Sequence, residues 1–247
     1  MKLWHGVLTG VVAYAVFLLA TAPAAKLLPL LQPRLEGVQL AGVDGSLWSG
    51  SAALVTAKPV QLQDLQWRFR PLVLLLGRAE VALDASWQGQ PATALAGKAL
   101  FGGPYLADVS ATLPAQDALR WLKVRQVSVE GKLALQLARV QWAAAKLPAV
   151  TGGVGWTPAR VSAPLELVLG SAQLDTVAEQ GMTRGKLKAS GGALLVDADV
   201  ELNPEGVYRL DAQIRQNGDV PDEVTQFLST FAEFSNGSYR LEWSASL

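Results

Sequence analysis

Asp197, Asp199 and Glu201 set three carboxylates at alternate positions. Alternate residues of a strand share one face, so the three would stand in a line at ~7 Å spacing. Calcium is the ion that such oxygen ligands suit, but it is held by a cage of them, which a straight line does not form. A solvated strand face, balanced by Arg209 and Arg215 on the following strand, accounts for the pattern. Asp44-Gly45-Ser46 and Gly152-Gly153-Val154-Gly155 are glycine-rich. A phosphate cradle needs its loop to open a helix with free N–H groups. Strand-like residues follow both segments and neither ends in Gly-Lys-Ser/Thr, so both read as turns. No motif singles out a carboxylate pair of the glycoside-hydrolase kind, or a Ser–Lys pair, from the acids and serines available.

The chain has no cysteine and a single histidine, His5, in an apolar run near the start. A thiolate nucleophile, a disulfide, a Cys-ligated zinc and an iron–sulfur cluster are thereby excluded. A Ser-His-Asp triad would have to use His5. No catalytic residue, metal or cofactor is expected. Lys plus Arg is 21 and Asp plus Glu is 21, which disfavours a nucleic-acid partner. Half of the 247 residues are hydrophobic and 17% are charged, a composition that folds rather than stays disordered.

Between Lys2 and Lys26 lie 23 residues without Asp, Glu, Lys or Arg, among them Leu3, Trp4, Val11, Val12, Phe17, Leu18 and Leu19. As a helix they would extend roughly 34 Å, enough for a hydrocarbon core of ~30 Å, with Trp4 at the interface. A cleaved export signal is the competing reading, since Ala22-Pro23-Ala24 has a small-x-small pattern. The expectation is a retained transmembrane anchor over residues 1–25. A Pro-rich linker over 26–35 follows, and then a β domain over 36–247 outside the cytoplasm.

Beyond Pro33 the hydrophobic period is close to two. Strands are predicted through Leu72, Leu74 and Leu76, through Leu133, Leu135 and Leu137, through Val196 to Leu202, and from Tyr239 to Leu247. Two short helices are predicted. One runs from Asp117 to about Val124. The other starts near Asp219, with Pro221 in its first turn and Val224, Phe227, Leu228 and Phe231 on one buried face. Asn236-Gly237 then turns the chain into the last strand.

The chain also matches itself. Residues 71–81 resemble 164–174. Gly97-Lys98, Gly102-Gly103, Leu106 and Leu113 match Gly185-Lys186, Gly191-Gly192, Leu195 and Leu202. Asp117 to Leu137 match Glu223 to Trp243. The second copy carries an extra strand around Val207 to Arg215. The fold expected is therefore mainly β: an elongated, mostly antiparallel domain with two short helices and an internal duplication, its halves at about 36–137 and 138–247.

Seven tryptophans lie beyond the apolar run. Trp48, Trp67, Trp87 and Trp156, with Tyr239, Leu241 and Trp243, are the candidates for a partner-binding surface or groove, against core filling as the plainer role. Trp87, between Ser86 and Gln88-Gly89-Gln90, is expected nearest the surface.

The N-terminal apolar run, Gly42-Val43-Asp44-Gly45-Ser46-Leu47-Trp48-Ser49-Gly50-Ser51-Ala52, and Leu65-Gln66-Trp67-Arg68-Phe69-Arg70-Pro71 leading into Leu74-Leu75-Leu76-Gly77 together resemble the type II secretion system protein N family. The resemblance implies a single-pass protein of the Gram-negative inner membrane with its main domain in the periplasm. It implies a non-enzymatic part in a machine that exports folded proteins, beside secretin, pseudopilin or inner-membrane platform subunits. It carries over no catalytic residue. Membrane lipid and a second copy of the chain are further expected contacts. The other function class is an anchored lipid-handling protein, similar to the AsmA-like group, with acyl chains against the inner face of a curved sheet. A closed, packed core favours the first class and an open apolar groove the second.

Overall fold

In a computed structural model of the chain, residues 23–24, 26, 37–57, 60–121, 124, 126–142 and 147–246 are described. The anchor residues Leu3, Trp4, Val11, Val12, Phe17, Leu18 and Leu19, the linker over 27–35 and Leu247 lie outside them. No helix of the described residues is long and apolar enough to cross a membrane.

Fourteen strands form one sheet. They are β1 (Val38–Gly45), β2 (Ser49–Ala57), β3 (Val60–Phe69), β4 (Arg78–Trp87), β5 (Gln90–Ala99), β6 (Pro104–Pro114) and β7 (Ser128–Gln141). The rest are β8 (Ala149–Ala163), β9 (Leu167–Glu179), β10 (Met182–Gly191), β11 (Leu194–Leu202), β12 (Val207–Gln216), β13 (Glu233–Ser235) and β14 (Ser238–Ser246). Each of β1 to β12 pairs antiparallel with its neighbour in sequence, and β14 lies between β12 and β13. At ~4.8 Å per strand the sheet extends about 60 Å along its contour. Two-residue turns with both residues at positive φ, Gln88-Gly89, Gln180-Gly181 and Asn236-Gly237, close three of the hairpins. Their twist matches that of the strands they join.

The alternation in the sequence becomes two chemically different faces. One row of paired residues runs Ala85, Ala92, Ala111, Leu135, Val154, Leu174, Leu187, Ala198, Ala212 and Leu241, across ten strands without a polar side chain. The adjacent row, on the other face, runs Asp84, Thr93, Ser110, Gln136, Gly153, Asp175, Lys186, Asp199, Asp211 and Glu242.

Two helices lie on the apolar face: α1 (Ala115–Trp121), after β6, and α2 (Asp222–Phe231), after β12. α1 begins two residues before the predicted Asp117. Pro221 caps α2 from outside, and its carbonyl accepts bonds from Val224 N (3.0 Å) and Thr225 N (3.1 Å). Leu228 of α2 is buried with Leu194, Ala198, Ala212 and Ile214, and Val224, Tyr239 and Leu241 pack against this cluster. The predicted buried stripe of α2 is only half realised. Phe227 and Phe231 are about half exposed and lie against each other at 4.8 Å. A single sheet offers the helix one wall, and the rest of the stripe has nothing to pack on.

The strand predicted through Leu72, Leu74 and Leu76 is instead a 3-10 helix, Pro71–Leu76. Pro71 has no N–H to give a ladder. Gly77, left-handed at φ 69°, closes the turn by donating to Leu74 O (2.9 Å). Gly152–Gly155, predicted as a turn, lies within β8. There, Leu137 Cα and Gln136 O of β7 sit 2.5 Å from where a Gly152 Cβ would be, so the bare backbone permits a close approach.

The two self-matching segments run β4-β5-β6-α1-β7 and β9-β10-β11-β12-α2-β13-β14, which agree in order apart from β12, at the predicted extra strand, and the three-residue β13. The Gly97 and Gly185 pairs are not equivalent, however. Gly97 pairs with Glu80 on the polar face, and Gly185 pairs with Thr176 on the apolar face.

Candidate functional site

Among the described residues the apolar face has no second sheet over it. α1 and α2 cover it at one end of the strands, and most of its side chains elsewhere are half-buried. Both ends of the strand order are open as well. Among the described residues no strand pairs with the outer edge of β1, beyond whose end Pro23 bridges Ser46, and β13 covers β14 only from Ser238 to Arg240. The predicted terminal edge at Tyr239–Leu247 thus begins at Leu241 among the described residues.

The tryptophans divide by what their indoles do. Trp67 donates Nε1 to Ser46 O and Leu47 O, both at 3.2 Å, and pins the β1–β2 turn to β3. Gly50 opposite it must lack a side chain, because a Cβ there would meet the Trp67 ring and Asp44 O. Trp156 donates Nε1 to Glu130 O at 2.8 Å, bridging β8 to β7. Trp87 is half-buried and stacks on Trp121 of α1, centroids 4.6 Å apart and planes 23° off parallel. It is therefore a clasp for α1 rather than the most exposed indole. Gln88 Nε2 reinforces that clasp through Asp117 Oδ2 at 2.9 Å. Trp48 is partly exposed beside Phe69 at 5.0 Å. Tyr239 and Leu241 belong to the cluster under α2. Trp243, paired with Leu210 on the same face, is 47% exposed. Trp48 and Trp243 are the most exposed of the predicted aromatics, with Trp243 the more exposed of the two.

The three carboxylates of β11 do lie on the polar face, but their partners come from β10 rather than from Arg209 and Arg215. Asp199 meets Lys186 Nζ at 3.8 Å, Glu201 meets Arg184 Nε at 3.1 Å, and Asp197 pairs in register with Lys188. Among the described residues, no group of three His, Asp or Glu side chains is placed to hold a metal ion.

The sequence did not mark one polar cluster. Tyr105 is buried on the polar face, its OH donates to Glu80 Oε1 at 2.6 Å, and the Arg139 guanidinium lies 4.4 Å over its ring. Burial first, and then the Glu80 carboxylate, raise the Tyr105 pKa above its ordinary value. The stability that the neutral phenol contributes is therefore full below pH ~10 and lost as pH rises through the raised folded value. Tyr105→Phe should cost about 1–2 kcal/mol. It should also remove the late-ionising phenol from an alkaline titration followed by near-ultraviolet absorbance. Loss of a phenol that ionises near the ordinary tyrosine value instead would show that the bond to Glu80 does not form.

No solved structure matches the chain. It is similar to three proteins named Type II secretion system protein N. The one from Vibrio cholerae is 27% identical over 203 residues, covering 80% of this chain and 80% of that one. The one from Pectobacterium carotovorum is 26% identical over 238 residues, covering 93% and 92%. The one from Aeromonas hydrophila is 28% identical over 225 residues, covering 88% and 87%. The family model of Type II secretion system (T2SS), protein N, matches residues 36–242, which takes in all but the last few residues of the sheet. With most of its length matched, the chain belongs to the type II secretion system protein N family.

Proposed function

We propose that this protein is a non-enzymatic, assembly-supporting component of the type II secretion machinery. Residues 1–25 hold it in the inner membrane, and its sheet lies in the periplasm and binds other subunits. Family membership supports the place in the machine. The observation that carries the binding mode is the strand edge that, among the described residues, is left unpaired at each end of one continuous sheet. An unpaired edge recruits a strand from another chain through backbone hydrogen bonds, and half-buried side chains beside it supply specificity. Trp243 stands beside the free part of β14.

A second reading rests on a different observation. Among the described residues the apolar row across ten strands is not closed by a second layer, and such a face suits acyl chains. In-cell cross-linking of the tagged full-length chain, followed by mass spectrometry of protein and lipid fractions, separates the two. Adducts with secretin, pseudopilin or inner-membrane platform subunits are expected. Stoichiometric phospholipid without any of those subunits would overturn the assembly role and make the face a lipid carrier.

A further inference from the structure

Six large apolar side chains project together from one end of the first half of the sheet. Leu72, Leu74, Leu75 and Leu76 belong to the 3-10 helix between β3 and β4. Leu100 and Phe101 form the turn between β5 and β6. Leu75 is 85% exposed and Phe101 98%. The two segments are joined where Leu100 N donates to Gly77 O at 2.8 Å. A patch of this size on a protein surface marks a contact with something apolar.

The charges around it are of one sign. Arg68, Arg70, Arg78 and Lys98 flank the tip and are exposed. Glu80 is the one acid in the stretches 67–81 and 97–105, and it is already held by the Tyr105 hydroxyl and by Arg70 at 3.5 Å. By contrast, the other end of β4 and β5 turns through Gln88-Gly89-Gln90, and two of the loops at the tip's end in the second half, Gln180-Gly181 and Asn203 to Gly206, are polar.

The position of the tip is equally specific. Pro23 bridges Ser46 in the β1–β2 turn, Trp48 O of that turn accepts from Phe69 N at 2.6 Å, and Phe69 leads into the 3-10 helix. Pro23 therefore meets the sheet at the end from which the leucines project.

We propose that Leu72–Leu76 with Leu100–Phe101 form a second membrane contact, which inserts into the interface of a bilayer with anionic headgroups. Leucine and phenylalanine side chains enter the headgroup–acyl boundary to a depth of ~5–10 Å. The four basic side chains reach the phosphates around them. Two attachments instead of one fix the orientation of the strands relative to the membrane. This inference rests on reading residues 1–25 as the anchor.

The absence of cysteine makes the test clean. Full-length Phe101→Cys, Gln90→Cys and Phe17→Cys proteins, each carrying one environment-sensitive fluorophore, are reconstituted in phosphatidylethanolamine–phosphatidylglycerol vesicles. Lipids spin-labelled at shallow or deep positions act as quenchers. The fluorophore at 101 should be quenched by the shallow label several-fold more than that at 90. The difference should shrink in a Leu75→Asp background of unchanged circular dichroism, and when phosphatidylcholine replaces the anionic lipid. Deep quenching at 17 with none at 101 overturns the tip contact and leaves the anchor standing. Quenching at 101 with none at 17 upholds the tip and removes the anchor. A protein adduct at 101 in cells, without lipid quenching there, overturns the proposal in favour of a protein partner.

Discussion

Gly131→Ala should destabilise the protein by about 3–4 kcal/mol, from a backbone clash of about 1–3 kcal/mol and a strained left-handed residue of similar size. Gly131 lies in β7 at φ 105°, where the pairing with β8 shifts register. A Cβ there would overlap the carbonyl oxygen of Pro158 and come within 3.0 Å of Trp156 Nε1, the donor that ties β8 to Glu130. Neither is the free end of a flexible chain, so β8 itself has to move. In a chain of this size the loss corresponds to a fall in melting temperature of roughly 10 °C, measurable by circular dichroism. Gly89→Ala is the control. Gly89 also has positive φ, at 76°, but open space where a Cβ would go, so it should lose only about 1 kcal/mol. Equal losses in the two variants would refute the clash with β8.

Leu228→Ala should cost about 3 kcal/mol, within the range for a buried leucine whose cavity does not collapse. Leu228 is the buried side chain of α2 and is 3% exposed among Leu194, Ala198, Ala212 and Ile214. A ten-residue helix is marginal without tertiary contacts. The loss should therefore appear first as detachment of α2. Amide exchange over 222–231 should accelerate roughly a hundredfold, with slower gains in β12 and β14. Uniform acceleration over all strands would instead mean that α2 and the sheet unfold as one unit.

Much of this architecture is legible as alternation. Val196 to Leu202 and Tyr239 to Ser246 are strands because their apolar residues fall on every second position, and Asn236-Gly237 turns where its residue types tolerate positive φ. The leucines at 72, 74 and 76 obey the same period and are not a strand. Leu75 between them is apolar too, so the period there is an accident of a continuous run, and Pro71 and Gly77 decide the backbone. Gly152–Gly155 misleads in the opposite way, since glycine marks a close approach between strands as readily as a turn. The roles of the tryptophans depend on which carbonyl each indole reaches. Ser46 is 21 positions from Trp67 and Glu130 is 26 from Trp156, beyond what local pattern conveys. The ion pairs of β11 form with β10 although Glu201 also stands in register with Arg209 of β12, for a related reason. In a meander each strand has two flanking strands, and side-chain length and register choose between them.

The extra strand β12 settles a matter of parity. In a meander, each strand added reverses the direction of everything after it. β9 lies five steps from β4, so the two self-matching runs enter the sheet in opposite directions. Had the second run passed from β11 directly into its helix, α2 would have emerged at the opposite end from α1. The insertion of one hairpin arm makes the separation of β6 and β12 an even six steps, and both helices leave from the same side. The apolar face is thus stoppered by both α-helices at one rim, while the rim where Pro23 meets Ser46 carries the short 3-10 helix Pro71–Leu76. An insertion of two strands would lengthen such a sheet and keep this polarity, whereas an insertion of one would invert it.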